Sequence, residues 1–159
     1  MLELGCGSGL LTRHLGDPGH RVVATDASPA MLELARRNVS DAAAIEPLTL
    51  PDNPLPDADA VVSIGHVLSY LPDEEALRRA LSAAAAALRP GGVLALDLCD
   101  LEWGRVQRDA PAAGFVGDDW ALVTRFSVPV PTASSGRWPS SPATTTARGA
   151  GTTNGTTTC

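Results

Sequence analysis

Short apolar runs recur along the first part of the chain, and three of the five are followed by a stretch in which apolar residues have helical spacing. The runs have the length of strands and are rich in Leu, Val and Ala, which is typical of strands buried on both faces. They lie at residues 2–4, 21–25, 45–48, 58–64 and 93–98. Strands that alternate with helices in this way predict an α/β fold with a parallel sheet covered by helices on both faces.

Helix signals separate these strands. Residues 8–15 carry leucines at helical spacing. Ser28 is a suitable N-cap for a helix whose first residue is Pro29. Asp73 is placed to cap a long helix that runs through Leu88.

The pattern weakens after residue 100. Residues 120–128 alternate apolar and polar positions, which predicts one more strand. From residue 132 onward the chain contains no Leu, Ile, Val, Phe, Asp or Glu. Such a segment has too little apolar surface to offset the entropy of an ordered chain, so its composition predicts disorder.

Composition narrows the class of protein. The net charge is -6, and every cation is Arg or His because the chain has no Lys. A negative chain without clustered cations is not expected to bind nucleic acid or an anionic membrane. The three cysteines are scattered, without the spacing of metal ligands. We therefore expect no metal site and a cytoplasmic location, where thiols stay reduced.

The most informative motif is a run of alternate glycines directly after the first strand. Gly5, Gly7 and Gly9 lie between a predicted strand and a predicted helix, where a parallel sheet binds its ligands. Glycine is required where the backbone takes positive φ or where a ligand approaches the main chain. A dinucleotide site has the pattern Gly-x-Gly-x-x-Gly, whereas position 10 here is Leu. The spacing favours a nucleotide-like ligand other than a dinucleotide, and a glycine turn without a ligand is the alternative.

Two acids flank this loop. Glu3 lies inside an apolar strand, where a carboxylate is costly unless it meets a cation or hydrogen-bond donors. We expect it to face the ammonium group of an amino-acid ligand, to hold nearby backbone amides, or both. Asp26 ends the second strand, and its carboxylate can accept both hydroxyls of a ribose. The alternative is that Asp26 caps the next helix, but Ser28 is the better cap, so ribose binding is favoured.

Four segments in order carry a resemblance to a known family: LELGCGSG, VVATDASPAML, DADAVVSIGHVLSYL and LRPGGVLALDL. Together they resemble the class I S-adenosylmethionine (SAM) dependent methyltransferases, of the small bacterial methyltransferase-domain type. The resemblance implies a Rossmann-like sheet in the order 3-2-1-4-5, without clear counterparts of the family's sixth and seventh strands. It also implies an enzyme that uses SAM as its cofactor and methylates a small-molecule substrate.

The resemblance further implies which residues bind the cofactor. The glycine loop approaches its methionine and adenosine portions, Asp26 binds the ribose, and the end of the fourth strand faces it from the other side. The implied residues are Glu3, Gly5, Cys6, Gly7, Gly9, Asp26, Ala27, Met31 and Gly65. In the family an acid after the third strand often reaches the adenine amine, and the nearest such acid here is Asp52.

No catalytic residue is assigned. Methyl transfer from a sulfonium is an in-line displacement, in which proximity and alignment carry much of the acceleration. His66 is the one titratable group with a near-neutral reference pKa at a strand end that faces the predicted site. We expect it to pack or to hydrogen-bond there, and a role as a base or in substrate positioning is the alternative.

On this resemblance the chain has three parts: a SAM-binding methyltransferase core at residues 1–100, a partial substrate-side element with one strand at 101–131, and a disordered low-complexity tail at 132–159. Met1 lies inside the first strand, which suggests truncation at the front. GC-rich codons of the tail, read one nucleotide earlier, can encode ordinary globular composition, so residues after Pro131 are hypothesised to be frameshifted. A truncated, non-catalytic SAM-binding fragment is thus a second hypothesis, and an NAD-binding Rossmann domain is disfavoured by Leu10.

Overall fold

The apolar runs form a parallel five-stranded sheet. The computed structural model describes residues 1–40, 42–100, 102, 103, 106, 110–126, 143–149 and 155–157. The strands of this sheet are β1 (Leu2–Leu4), β2 (Val23–Asp26), β3 (Ala44–Pro47), β4 (Ala58–Ser63) and β5 (Leu88–Leu96). Their order is β3-β2-β1-β4-β5, and every neighbouring pair is parallel. The predicted Rossmann-like sheet and its strand order are confirmed.

Helices connect these strands where the sequence predicts them. They are α1 (Leu10–Gly16), α2 (Pro29–Asn38) and α3 (Glu74–Ala86), with a single turn of 3-10 helix at Val67–Tyr70. Ser28 caps α2, and its Oγ accepts a bond of 3.4 Å from the N–H of Met31. Asp73 caps α3, and its Oδ1 accepts a bond of 2.8 Å from the N–H of Ala76. Both predicted caps are confirmed.

The fifth strand is longer than the sequence predicts. We expected the preceding helix to run through Leu88 and the strand to cover residues 93–98, but α3 ends at Ala86 and β5 begins at Leu88. Residues 89–92, which include Pro90, are not paired with β4, because the register passes from Ala58 opposite Leu88 to Ala60 opposite Val93. Gly91 there has φ 81°, so these residues form a bulge, where sheets accept proline and glycine.

Each face of the sheet has its own apolar core, because successive strand residues point to opposite faces. On one face the buried residues are Leu2, Leu4, Ala58, Val61 and Ala84. On the other face they are Cys6, Ala24, Leu32 and Ala35. The helices that cover the two faces leave the carboxyl ends of the strands as the edge at which such sheets bind ligands.

The chain divides into a first unit, Met1–Leu98, and a second unit, Cys99–Cys159. The described part of the second unit holds an antiparallel sheet. Its strands, in order, are β6 (Ala113–Val116), β7 (Trp120–Phe126), β8 (Ala143–Gly149) and β9 (Gly155–Thr157). The strand predicted from residue 120 is present through Phe126, and residues 127 and 128 lie outside the described residues. The segment 101–131 holds two strands rather than the predicted one, because β6 pairs with β7.

Two of these strands, β8 and β9, lie in the segment 132–159, whose composition predicts disorder. Residues 143–149 and 155–157 are the described part of that segment, and both are extended. β8 pairs with β7 along its whole length through the backbone, which requires no apolar side chain, and the β-branched Thr residues suit strands. Pro131, from which the frameshift hypothesis starts, and the other residues of the segment lie outside the described residues.

Candidate cofactor-binding site

The loop after β1 carries three glycines in the left-handed conformation. Gly5, Gly7 and Gly9 have φ angles of 75°, 54° and 86°, which residues with a Cβ rarely adopt. A Cβ on Gly5 would lie 2.3 Å from Val67 Cγ2, and one on Gly9 would lie 2.6 Å from Val39 Cγ2. A Cβ on Gly7 would meet nothing within 4 Å. Packing therefore requires the outer two glycines, whereas the middle one borders open space.

Asp26 joins this loop to the start of α2. The N–H of Gly7 donates to its Oδ2 at 2.9 Å, and the N–H of Ser28 donates to its Oδ1 at 2.8 Å. Ser28 remains the N-cap of the helix, so Asp26 is a bridge between two elements rather than the cap itself. A carboxylate has about four acceptor positions. The bridge therefore leaves Asp26 able to accept bonds from further hydroxyl donors.

Glu3 is a buried acid in β1 that is linked to α1. It is 2% exposed, and Oγ1 of Thr12 donates to its Oε2 at 2.6 Å. Burial raises the pKa of Glu3, the bond from Thr12 acts in the opposite direction, and the negative charge of Asp26 raises it again. In the described residues the observed partner is a hydroxyl on a helix rather than a backbone amide.

Cys6 shapes the loop through its backbone. Its N–H donates to the carbonyl of Thr25 at 2.8 Å, and its carbonyl accepts from the N–H of Gly9 at 2.9 Å. Burial raises the pKa of its thiol to about 12, so the thiol stays protonated at neutral pH. In contrast, Ala27 and Met31, which follow Asp26, are exposed. These two side chains are accessible to a ligand that lies beside the carboxylate.

A second carboxylate holds the turn after β4. The N–H of Gly65 donates to Oδ2 of Asp97 at 3.0 Å, and the N–H of His66 donates to Oδ1 at 2.8 Å. The imidazole Nδ1 of His66 lies 3.4 Å from the same Oδ2. Burial acts to raise the pKa of Asp97, but the N–H groups of His66 and Gly65 and the charge of His66 outweigh it and lower this pKa.

The glycine loop and this turn are neighbours. Val67, directly after His66, is the residue that a Cβ on Gly5 would strike. Sequence reasoning placed Gly65 and His66 at this edge but missed Asp97. The sequence does contain a signal for Asp97, because this acid directly follows an apolar strand, as Asp26 ends β2.

Asp52, the acid that the sequence places after the third strand, is paired with a cation of α3. Oδ1 of Asp52 accepts from Arg79 of α3 at 3.1 Å, which gives it a surface ion pair. Glu46 instead lies in β3, one residue before its end and opposite Thr25 of β2. It lines a pocket of about 450 Å³ together with Thr25, Leu48 and residues 53–56. We did not anticipate Glu46 because the predicted third strand was too weak to fix where it ends.

The described residues offer neither a metal cluster nor a membrane-spanning helix. No cluster of three or more His, Cys, Asp or Glu side chains within them is arranged to hold a metal ion. None of the helices in these ranges combines the length and the apolar character needed to cross a membrane.

The fold and the site define the class of the protein. A parallel sheet in the order 3-2-1-4-5, with a glycine loop after its central first strand and an acid at the end of the next, is a Rossmann-like nucleotide-binding arrangement. Residues 2–94 match the family model described as a methyltransferase domain. The chain therefore belongs to this methyltransferase-domain family, and the predicted family is confirmed.

Two individual methyltransferases are similar to this chain in sequence. The chain is 35% identical over 108 residues to the trans-aconitate 2-methyltransferase of Methylobacterium radiotolerans, covering 62% of this chain and 37% of that protein. It is 34% identical over 102 residues to the ubiquinone biosynthesis O-methyltransferase of Xylella fastidiosa, covering 59% and 39%. The chain thus spans well under half the length of these two relatives.

A solved structure extends the likeness to a protein with bound cofactor. The chain resembles the SAM-bound amino pentose methyltransferase of Micromonospora echinaspora, with a TM-score of 0.67 and 25% identity. The match covers 79% of this chain and 54% of that one.

Proposed function

We propose that the first unit binds SAM and that the protein transfers its methyl group to a small-molecule acceptor. The observation that carries the proposal is the carboxylate of Asp26, held between the N–H groups of Gly7 and Ser28 at the carboxyl edge of the sheet. A carboxylate on rigid elements at this edge is suited to the two hydroxyls of a ribose. The family match and the SAM-bound relative support the same cofactor.

The surroundings of this carboxylate fit the rest of the cofactor. The open space at Gly7 lets the main chain approach the methionine portion. Ala27 and Met31 offer accessible apolar surface for adenine. We propose that Glu46, the exposed acid near the end of β3, binds the adenine amine. Gly65 after β4 would line the opposite side of the cofactor site.

Residues behind the loop act on the cofactor indirectly. Gly5 and Gly9 allow the loop to pack against the turn after β4 and against α2, and Cys6 fixes its backbone. Glu3 is a buried acid whose pKa burial raises. A nearby cation would favour its charged form, and the ammonium group of SAM is a cation of this kind.

The bound cofactor would supply an electrophilic methyl group, so the task of the protein is alignment and exclusion of water. A net charge of -6 supports a small molecule over a nucleic acid as acceptor. The names of the relatives mention trans-aconitate, ubiquinone biosynthesis and an amino pentose, and acceptors this diverse do not single one out. The buried Cys6, which forms no disulfide, supports a reducing, cytoplasmic location.

Binding of S-adenosylhomocysteine (SAH) to the purified chain tests the proposal. At about 100 times its Kd, a ligand that binds the folded state alone stabilises it by about 2.7 kcal/mol. We expect a thermal shift with SAH and none with NAD, because Leu10 replaces the third glycine of the dinucleotide pattern. A shift with NAD alone would identify a dinucleotide domain. No shift with either ligand would favour the fragment hypothesis.

The substitution Asp26→Ala tests the role proposed for this carboxylate. It removes bonds to a charged group, each worth about 1.5–3 kcal/mol, so we expect SAH affinity to fall by roughly ten- to a hundredfold or more. Isothermal titration calorimetry measures this directly. The matched control is Asp59→Ala, which removes an exposed acid paired with Arg89. Equal affinities of the Asp26→Ala and Asp59→Ala proteins would remove Asp26 from the site.

A further inference from the structure

We propose that His66 is a catalytic base and that Asp97 is the positioning residue that orients it. The acceptor would then be a hydroxyl or an amine, whose proton must leave when the new bond to carbon forms. This inference rests on the proposed methyl transfer, and it goes beyond it by assigning a proton acceptor and a class of substrate atom. It stands on the geometry of the turn after β4.

The turn fixes His66 in one orientation. Its backbone has φ 62° and ψ 26°, a left-handed conformation that is uncommon for residues with a Cβ. Asp97 holds it there by accepting bonds from the N–H groups of Gly65 and His66 at 3.0 and 2.8 Å. Uncommon backbone conformations of this kind persist only where the surroundings impose them, and they cluster at functional sites.

The same carboxylate also faces the ring of His66. Nδ1 is buried and lies 3.4 Å from Oδ2 of Asp97. This distance is longer than that of a well-formed N–H···O bond, so the contact is electrostatic. The side chain of His66 is 42% exposed. Since Nδ1 is covered, the exposed area belongs to the rest of the side chain.

A carboxylate beside Nδ1 selects the tautomer of the neutral ring. The negative charge of Asp97 favours the tautomer with the proton on Nδ1, and Nε2 then keeps a lone pair that can accept a proton. The charge that forms on the ring after proton transfer is stabilised by the same carboxylate. Other titratable groups on the elements that pack against this turn are Tyr70 within it and Asp73 and Glu74 at the start of α3.

The position of the turn brings this base to the proposed cofactor. Val67, the next residue, packs so closely on Gly5 that a Cβ there would overlap it. His66 therefore lies beside the glycine loop, on the side opposite Asp26 in the sheet order. A methyl group held between the loop and the turn would lie close to His66.

The proton of an acceptor hydroxyl, or of an acceptor amine in its ammonium form, moves to Nε2 of His66, and the electron pair left on the acceptor atom forms the new bond to the methyl carbon. The electron pair of the broken carbon–sulfur bond stays on sulfur, which becomes a neutral thioether. Solvent later takes the proton from Nε2. An acceptor without a removable proton, such as a thioether, would not use this base.

A single-histidine protein makes the ring directly observable. His14 and His20 are the other two histidines of the chain and are exposed, so we would replace both by Gln. Long-range ¹H–¹⁵N correlation spectra of this protein, recorded with the ring neutral, report the tautomer. We expect a protonated Nδ1 and an unprotonated Nε2, and a shift toward the other tautomer in Asp97→Asn. A wild-type ring protonated at Nε2 would overturn the proposal, even if the Asp97→Asn protein fails to fold.

Carbethoxylation by diethyl pyrocarbonate tests the location of the base. SAH at about 100 times its Kd leaves about 1% of the protein unbound, so we expect the reaction of His66 to slow by up to roughly a hundredfold. The control is the protein whose single histidine is His20, where SAH should change nothing. Thermal-shift binding of SAH without protection of His66 overturns this inference and leaves the proposed function intact. Absence of SAH binding overturns both.

Discussion

Three glycines with similar backbone angles serve different purposes in the loop after β1. Gly5 and Gly9 are required because neighbouring side chains occupy the space that a Cβ would fill. Gly7 has no such neighbour, and its N–H is held by Asp26. The alternation that identifies the loop in the sequence thus combines two packing requirements with one position left open to a ligand.

Alanine at these positions separates packing from conformation. At Gly7 the change imposes strain from positive φ, about 1–2 kcal/mol, whereas at Gly5 overlap with Val67 adds about 1–3 kcal/mol. We therefore expect Gly5→Ala to lower the free energy of unfolding more than Gly7→Ala. Urea denaturation followed by far-UV circular dichroism measures both, because α1, α2 and α3 all lie in the first unit.

Gly16→Ala is the control for this comparison. Gly16 ends α1 without positive φ, and a Cβ there would meet nothing within 4 Å. Its replacement should therefore be neutral or slightly stabilising. Equal destabilisation by Gly5→Ala and Gly7→Ala would contradict the close packing of Gly5 against the turn after β4.

The hydrogen-bond partners of the site residues were harder to predict than the site residues themselves. The sequence identified Glu3, Asp26 and His66 because each is a polar residue in or at the end of an apolar strand. It did not identify Thr12 or Asp97, the groups that bind Glu3 and hold the turn at His66. A partner separated along the chain is fixed by how strands and helices pack, and no local pattern encodes that.

At the scale of elements, polar caps decide where helices begin. Both caps were readable from sequence because their hydrogen bonds are local, within three residues. The end of α3 and the start of β5 could not be predicted from the sequence, because Arg89-Pro90-Gly91-Gly92 has the composition of a turn. The structure keeps that turn character as an unpaired bulge with Gly91 at φ 81°, and the pairing of β5 with β4 resumes at Val93.

The two caps should differ in strength. The bond from Ala76 to Asp73 is 2.8 Å, whereas that from Met31 to Ser28 is 3.4 Å and outside the usual range. We expect Asp73→Ala to cost about 1 kcal/mol of unfolding free energy, and Ser28→Ala to cost measurably less. Urea denaturation checks this, with Asp59→Ala as a surface control. A larger loss for Ser28→Ala would show that cap geometry does not set these contributions.

On the scale of the whole molecule, two carboxylates have opposite effects on the pH dependence of stability. Burial raises the pKa of Glu3 above 4.5 in the folded state. The folded chain therefore binds this proton more tightly than the unfolded chain, and this contribution to stability is lost as the pH rises through the folded value. The pKa of Asp97 is lowered from 3.8, so its contribution is present above that pH and lost as the pH falls.

Glu3→Gln isolates the first of these effects. The amide retains an acceptor for Thr12 but does not titrate, so the decline in unfolding free energy above pH 4.5 should become shallower. Urea denaturation at a series of pH values from about 4 to 8 measures the slope, a range that brackets the reference carboxyl pKa. Glu33→Gln, which changes an exposed acid paired with Arg37, is the control. Identical slopes for wild type and Glu3→Gln would contradict the raised pKa.

The two units also differ in how far a sequence can predict them. The parallel sheet follows from apolar runs and helical spacing, which are local signals, and the family motifs fix its order. The antiparallel sheet depends on the pairing of β7 with β8, a strand of Thr, Ala, Arg and Gly. Hydrophobic periodicity carries no signal for such a strand, because its stabilisation comes from backbone bonds between distant segments.

The bridge from Gly7 through Asp26 to Ser28 has a consequence for the kinetics of recognition. These bonds join groups of the chain itself, so the entropy of ordering the loop belongs to folding rather than to the encounter. Association then requires only diffusion and correct orientation. Differences in affinity among variants of this loop should consequently lie in residence time, with similar rates of capture.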